Sequence, residues 1–281
     1  MNILAAHVKL FRPLNLFIGA FSVFISSAIL KSLGNTQGLS LALLTVIFYN
    51  AGANALNDFI DQKTDQLNRP DRPIPSAAVS PKSALTSSMF LFIFGSVSAS
   101  FLPLHAIIIA ILIVLPLIIL YNLKLKQLPL IGNITIALIL GLTFIFSGTV
   151  FGNIKPMIIP CLLAFGLTLV RELVKDIEDM KGDRLTGLTT FPIIAGVNCA
   201  GKLTALLAVM IGVGALTPYV MGIYSVWYLA FLVFGVEIPL VTLVVLFMKS
   251  PNELNFSFAS KALKISTILG IVAIYFGTAY A

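Results

Sequence analysis

Nine continuous apolar runs, each long enough to cross the roughly 30 Å hydrocarbon core of a bilayer, decide what this chain can become. They fall near 14–31, 39–60, 84–102, 104–122, 130–150, 157–176, 200–219, 226–248 and 262–281. Apolar and polar residues do not alternate along them. In lipid only helices and closed barrels satisfy the backbone's own polar groups, so each run reads as a transmembrane helix. A hydrophobic content of 58% agrees with a polytopic membrane protein and excludes an ordinary soluble domain. Only Pro103 and its neighbours separate the third run from the fourth, and Pro116, Pro160 and Pro239 are expected to kink the helices that hold them. No low-complexity linker or detachable soluble domain interrupts the series, so residues 1–281 read as one transmembrane domain. The opening MNILAAHVKLFRP lacks the small-residue cleavage site of a signal peptide, so the first run is expected to stay in the mature protein.

The net charge of +7 invites a nucleic-acid reading, which fails on position. Nine spans put alternate loops on opposite sides, and one side takes the N-terminus and the loops near 61–83, 123–129, 177–199 and 249–261. With the adjacent helix ends, that side holds all 18 lysines and arginines except Lys31 and Lys155. So strong a positive-inside bias makes the N-terminus and these loops cytoplasmic, in the inner or plasma membrane, and leaves no nucleic-acid partner to explain. Cys161 and Cys199 imply neither a disulfide framework nor a zinc site.

The acids are more localised still. Nine of the 11 fall in two clusters on the basic side: Asp58, Asp61, Asp65 and Asp71, then Glu172, Asp176, Glu178, Asp179 and Asp183. Both clusters contain D-x-x-D-x-x-x-D, and Asp176, Asp179 and Asp183 each follow Asp58, Asp61 and Asp65 by the same 118 residues. On a helix these offsets keep three carboxylates within an arc of about 60°. Asn54 extends the first row by one turn and Glu172 the second, as an ancestral duplication would leave them. Like charges crowded near a membrane would force protonation, and a divalent cation resolves that conflict. Mg²⁺ takes carboxylate oxygens while keeping positions for water and phosphate. A single D-x-x-D is better read as a solvated helix end, but two copies at one spacing on one face point to metal. Asp58, Asp61, Asp65, Asp176, Asp179 and Asp183 are therefore the expected metal ligands.

Cations suited to phosphate surround the acids. NRPDRPIPS (68–76) brings Arg69 and Arg72 on a Pro-stiffened loop, where planar guanidinium groups can grip phosphate oxygens. YNLKLKQLPLIGN (121–133) adds Tyr121, Lys124, Lys126 and Asn133. Topology signalling alone explains Lys249, Lys261 and Lys82, but not a loop as particular as RPDRP. Metal and arginines beside carboxylates point to a diphosphate held in a lipid-facing cavity.

These pieces, with FRPLN (11–15) and RELVKDIEDMKGDRLTGLTTFP (171–192), resemble the UbiA superfamily of intramembrane prenyltransferases over most of the chain. The resemblance implies an all-α fold of nine transmembrane helices around a central cavity, a cytoplasmic cap and a lateral opening to lipid. It also implies an isoprenyl diphosphate donor bound through Mg²⁺ by the two aspartate rows, with Asn54 and Asn57 assisting. Arg72 and Lys124 or Lys126 would neutralise the leaving diphosphate, the LKLK stretch offering both lysines. Asp61 and Asp179 become the catalytic pair at the metal, Tyr121 a cation–π shield for the carbocation, and Asn15 part of the cavity. Within the superfamily, RELVKDIEDMKGD followed by Thr-x-Pro is most similar to the geranylgeranylglyceryl phosphate geranylgeranyltransferases of ether-lipid synthesis. That implies a geranylgeranyl donor and a lipid hydroxyl acceptor; an aromatic acceptor of the quinone, tocopherol or chlorophyll type is the alternative. Where relatives usually have Gly and a basic residue after RPIPS this chain has Ala77 and Ala78, one fewer cation, and TFPI replaces TLPI at 190–193.

Other features are weighed and set aside. Glu237, alone in mid-span, stands as a cavity acid or as a protonated acid beside a proline-freed carbonyl. His105 on the far side and His7 before the first span are not candidate bases, and Tyr224, Trp227 and Tyr228 read as an interfacial belt. A cation transporter is the rival from another class, disfavoured because the acids lie at helix ends and RPDRP has no role in moving cations.

Overall fold

A computed structural model describes residues 3–249 and 255–279. Glu253 in the loop near 249–261 and the final two residues of the last run lie outside the described residues. Among those described, every regular element is helical: α1 (Ile3–Phe11), α2 (Pro13–Ile29), α3 (Thr36–Ile60), α4 (Gln62–Asn68) and α5 (Pro81–Ser100) form the first group. After them come α6 (Leu104–Leu123), α7 (Ile131–Val150), α8 (Ile158–Leu185), α9 (Phe191–Ala195), α10 (Val197–Val220), α11 (Val226–Lys249) and α12 (Phe256–Ala279).

Each expected apolar run lies on one of these helices. Eight helical stretches, built on α3, α5, α6, α7, α8, α10, α11 and α12, are individually long and apolar enough to cross a membrane. The lead-in α1 and α2 qualify together, bent by 54° at Arg12. The bend has a local cause. Arg12 adopts φ 55° and ψ 75°, a left-handed conformation unusual for a residue with a side chain, and Pro13 starts the next helix where its missing N–H costs nothing.

The prolines behave differently from one another. Pro116 and Pro239 each lie two residues past the end of a π-helical segment, Ile108–Val114 and Val233–Glu237, where the wider turn re-registers the backbone around a missing donor. Pro160 does not interrupt its helix, contrary to expectation, because it lies in the first turn of α8, where amides lack intrahelical partners anyway. Pro103 caps the start of α6, so the third and fourth runs are separate helices.

Packing divides the bundle into two cores. Val23, Tyr49, Ile118, Ile139 and Phe146 bury together in the first half, and Val170, Val174, Tyr228, Leu240 and Leu263 in the second. Ile25, Phe144, Met157 and Ile271 join them through α2, α7, the turn that caps α8, and α12. Outside, large apolar side chains such as Phe94, Leu112, Val213 and Phe234 are exposed, as expected where lipid is the solvent. Of the three residues read as an interfacial belt, only Trp227 is exposed. Tyr224 and Tyr228 are buried, and the Tyr228 hydroxyl donates to the Ala215 carbonyl at 2.7 Å, satisfying its polar tip inside the bundle.

Candidate active site

Between the two cores lies a cavity of about 220 Å³. A water molecule needs only some 10–15 Å³ of such space, so this is no packing defect. Ile139, Leu167, Ile211 and Ile271 contribute to its apolar wall, while Arg12, Asn15, Asn54, Asn57, Tyr121, Glu172, Lys175 and Lys264 line it with polar groups. Asn54 and Asn57 precede the first aspartate row and Glu172 precedes the second, so the aspartates follow just past the cavity wall, toward the helix ends.

The two rows are built differently, which corrects the expectation of matching stripes on two helices. Asp58 belongs to α3, Asp61 is the one-residue break after Ile60, and Asp65 belongs to α4. The second row runs uninterrupted along α8. The rows meet because α4 packs on the end of α8. Thr64 Oγ1 lies 3.0 Å from Thr186 Oγ1, and Asn68 Nδ2 donates to the Asp179 carbonyl at 3.0 Å. Gly182 permits this approach: a Cβ there would stand 2.2 Å from Asn68 Oδ1.

Every aspartate of the two rows has partners or charged neighbours in this layer. Asp58 accepts from Arg12 and lies 3.2 Å from Arg72 Nη1, which also pairs with Asp65 at 2.5 Å. Asp61 pairs with Lys126 and accepts from Asn57 Nδ2 at 2.8 Å. Asp176 accepts from Asn133 Nδ2 at 2.8 Å. Asp179 takes Arg69 at 2.8 Å and Lys175 at 3.5 Å. Asp183 is buried on the same helix, with Asp179, Lys175, Asp61 and Arg69 as its charged surroundings. Burial pushes the Asp65 carboxyl up, and Arg72 beside it pulls it back only in part. Burial also disfavours the charged form of Arg72, yet Asp58 and Asp65 outweigh it and hold the guanidinium above its ordinary value.

The expectation that the rows need metal to relieve their repulsion is thus only half right, since arginines, lysines and asparagines already do so. The donor set nevertheless fits Mg²⁺. Among the described residues no three carboxylates converge into a ready cage. Mg²⁺ does not need one, because one or two carboxylates suffice when phosphate and water supply the rest. Here hard oxygen donors are offered from two facing sides.

Of the residues anticipated from sequence, Asn15, Asn54, Asn57 and Tyr121 line the cavity. Arg69, Arg72 and Lys126 join the ion-paired layer, whereas Lys124 is exposed and makes no ion pair among the described residues. Arg12, Arg171, Lys175 and Lys264 also line the cavity, although the sequence reading gives them no site role of their own. A better signal existed for Lys264: it sits inside an apolar run, where a cation is unexpected without a role. Glu237 is not in the cavity wall. Its Oε2 would lie 2.7 Å from a Cβ on Gly212 of α10, and its buried Oε1 finds no hydrogen-bond partner among the described residues.

Of the four non-glycine residues with positive φ among the described residues, Arg12, Ala77 and Leu130 lie in the connections around the site, and Lys31 lies in the one after α2. Ala77 adopts φ 58°, and Leu130 before α7 adopts φ 62°. We expect Ala77→Gly to stabilise the protein by up to about 1 kcal/mol, since left-handed geometry penalises a Cβ more than glycine's extra freedom costs. Ala78→Gly should destabilise it, because that residue is not left-handed. Thermal unfolding of both variants in one detergent checks the opposite signs.

Comparison with known proteins identifies the family and the fold. Residues 16–277 match the model of the UbiA prenyltransferase family. A digeranylgeranylglyceryl phosphate synthase from Methanothermobacter thermautotrophicus is 32% identical over 273 residues, 97% of this chain and 95% of the relative. The synthase of the same name from Haloquadratum walsbyi is 40% identical over 200 residues, 70% of each chain. A solved structure of digeranylgeranylglyceryl phosphate synthase in membranes superposes with a TM-score of 0.73 at 30% identity, covering both chains fully. A UbiA homologue from Archaeoglobus fulgidus bound to DMAPP and Mg²⁺ shares the fold, with a TM-score of 0.62 at 16% identity over 95% of this chain and 98% of that one.

Proposed function

This chain belongs to the UbiA prenyltransferase family, and we propose that it moves a geranylgeranyl group from its diphosphate to the hydroxyl of geranylgeranylglyceryl phosphate, an ether-lipid step. The carrying observation is the pair of facing aspartate rows, laced with cations, at the mouth of a largely apolar cavity. The names borne by the relatives favour this acceptor over an aromatic ring. The rival reading as a cation transporter is set aside, because the family is one of prenyltransferases.

In this reading Asp58, Asp61 and Asp65 with Asp176, Asp179 and Asp183 hold Mg²⁺ when donor is present. Bound there, the metal supplies Lewis-acid stabilisation of the charge that grows on the departing diphosphate. Arg69, Arg72 and Lys126 exchange aspartate partners for diphosphate oxygens, adding charge-assisted hydrogen bonds. The allylic C–O bond breaks, diphosphate leaves with the electron pair, and the acceptor oxygen forms the new ether bond as its proton departs. Tyr121 offers an aromatic face to the cationic carbon, and the apolar wall takes the prenyl chain and keeps water out. Asn15, Asn54 and Asn57 order the polar end of the cavity. In this reading residues 1–281 act as one domain, and the distribution of basic residues supports an N-terminus and site on the cytoplasmic face.

Membranes carrying the protein, given labelled geranylgeranyl diphosphate and Mg²⁺, should convert geranylgeranylglyceryl phosphate to a labelled diether. Chelation should stop transfer and added Mg²⁺ restore it. Label appearing instead on 4-hydroxybenzoate or homogentisate would overturn the acceptor and keep the prenyl transfer.

A further inference from the structure

The cavity holds more positive charge than the aspartate rows consume. Of its four cations, Arg12 is tied to Asp58 and Lys175 to Asp179. The other two are engaged elsewhere. Arg171 pairs with its neighbour Glu172 at 2.8 Å, and its buried Nε–H has no hydrogen-bond partner among the described residues. Lys264, nine residues into α12, donates to the neutral Asn15 carbonyl oxygen, and its charged surroundings are Arg171, Arg12 and Glu172. Two cations thus share one carboxylate in an apolar wall. A buried excess of this kind is unfavourable unless an anion completes it.

We infer that Arg171 and Lys264 form a second anion site, which takes the phosphate monoester of the lipid acceptor. The inference rests on the ether-lipid reading given above. Arg171 and Glu172 lie about one turn before Asp176, so this site falls on the cavity side of the diphosphate layer. Asn15 connects the two. It receives Lys264 through its carbonyl, while its amide lies 3.4 Å from the Asn54 carbonyl oxygen beside the first aspartate row. The acceptor demands this proximity, because its reacting hydroxyl and its phosphate sit on a single three-carbon glycerol. A guanidinium with a free N–H and an ammonium held only by an amide can both turn to phosphate without stripping a cation from the donor's aspartates. Glu172 then keeps Arg171 oriented and limits the charge of the empty site.

The test is a set of steady-state measurements on the membrane-embedded enzyme with Lys264→Gln, Lys264→Arg, Arg171→Gln and Arg171→Lys. Lost charge-assisted hydrogen bonds should raise KM for geranylgeranylglyceryl phosphate roughly tenfold to a hundredfold in the glutamine variants. KM for geranylgeranyl diphosphate should stay within about twofold of the parent, which also reports an intact fold. Lys264→Arg should recover most of the acceptor affinity. The parent should prefer the phosphorylated acceptor over geranylgeranylglycerol, and Lys264→Gln should erase most of that preference. Unchanged acceptor KM, or donor KM rising equally, would overturn the second site and leave the ether-lipid reading standing. A parent enzyme that does not alkylate geranylgeranylglyceryl phosphate at all would remove the reading and this inference together.

Discussion

Asp61→Asn and Asp179→Asn should each lower turnover of the prenyl diphosphate by at least about a hundredfold, the scale on which single preorganised electrostatic groups act in catalysis. Both residues stand in the layer where the rows meet, Asp61 against Lys126 and Asp179 between Arg69 and Lys175. Asparagine keeps the shape and one acceptor oxygen but removes the charge that draws a metal. The neighbouring cations lose a partner, yet they lie at the helix ends where water can reach them, so insertion and helix content should not change. The measurements are turnover in membranes and circular dichroism of the purified variants. Normal turnover by both would discard the aspartate rows as the catalytic centre.

Gly132→Ala should cost about tenfold to a hundredfold in kcat although Gly132 need not touch substrate. It lies in the first turn of α7, where the connection from α6 folds back over it: a Cβ would stand 2.8 Å from Lys126 Cα and 3.0 Å from the Leu125 carbonyl oxygen. Both obstacles are backbone, so the segment bearing Lys126 must move as a piece. Misplacement of a charged group by about 1 Å can cost on the order of a hundredfold. Gly182→Ala should be milder, because there the obstacle is the Asn68 side chain, which can rotate aside. A double-mutant cycle identifies the route. With Lys126 already alanine, Gly132→Ala should add little, whereas additive losses would show that it acts elsewhere.

Much of the architecture was legible because a bilayer leaves few choices. Continuous apolar runs had to be helices, and every run proved to lie on one. The aspartate rows were legible from their spacing and their side of the membrane. Their asymmetry was not, because a one-residue break at Asp61 leaves periodicity almost untouched while giving Asp65 a helix of its own. The choice between Lys124 and Lys126 also lay beyond sequence. It depends on a short turn folding over Gly132, and only Lys126 reaches an aspartate. Arg12 is hidden for a different reason. Basic residues near helix ends serve topology so generally that position alone does not reveal a second use. Tyr224 and Tyr228 show the converse error: amphipathic residues near a helix end suit an interface, but a partner inside the bundle makes burial as comfortable.

The left-handed residues bear on how this protein can be improved. Arg12, Ala77 and Leu130 each stand in a connection that brings a cation to the aspartates: Arg12 itself, Arg72 before Ala77 and Lys126 before Leu130. Natural chains retain such geometry chiefly where surrounding structure fixes it for a purpose. A thermostabilisation campaign screening for robustness in detergent would therefore find ready gains in these joints, and would select for relaxed backbones that aim their charges less well. Robustness is better sought on the lipid-facing surfaces of α5 and α10, remote from the connections that carry these cations. For this fold, hardening the hinges and keeping the activity pull in opposite directions.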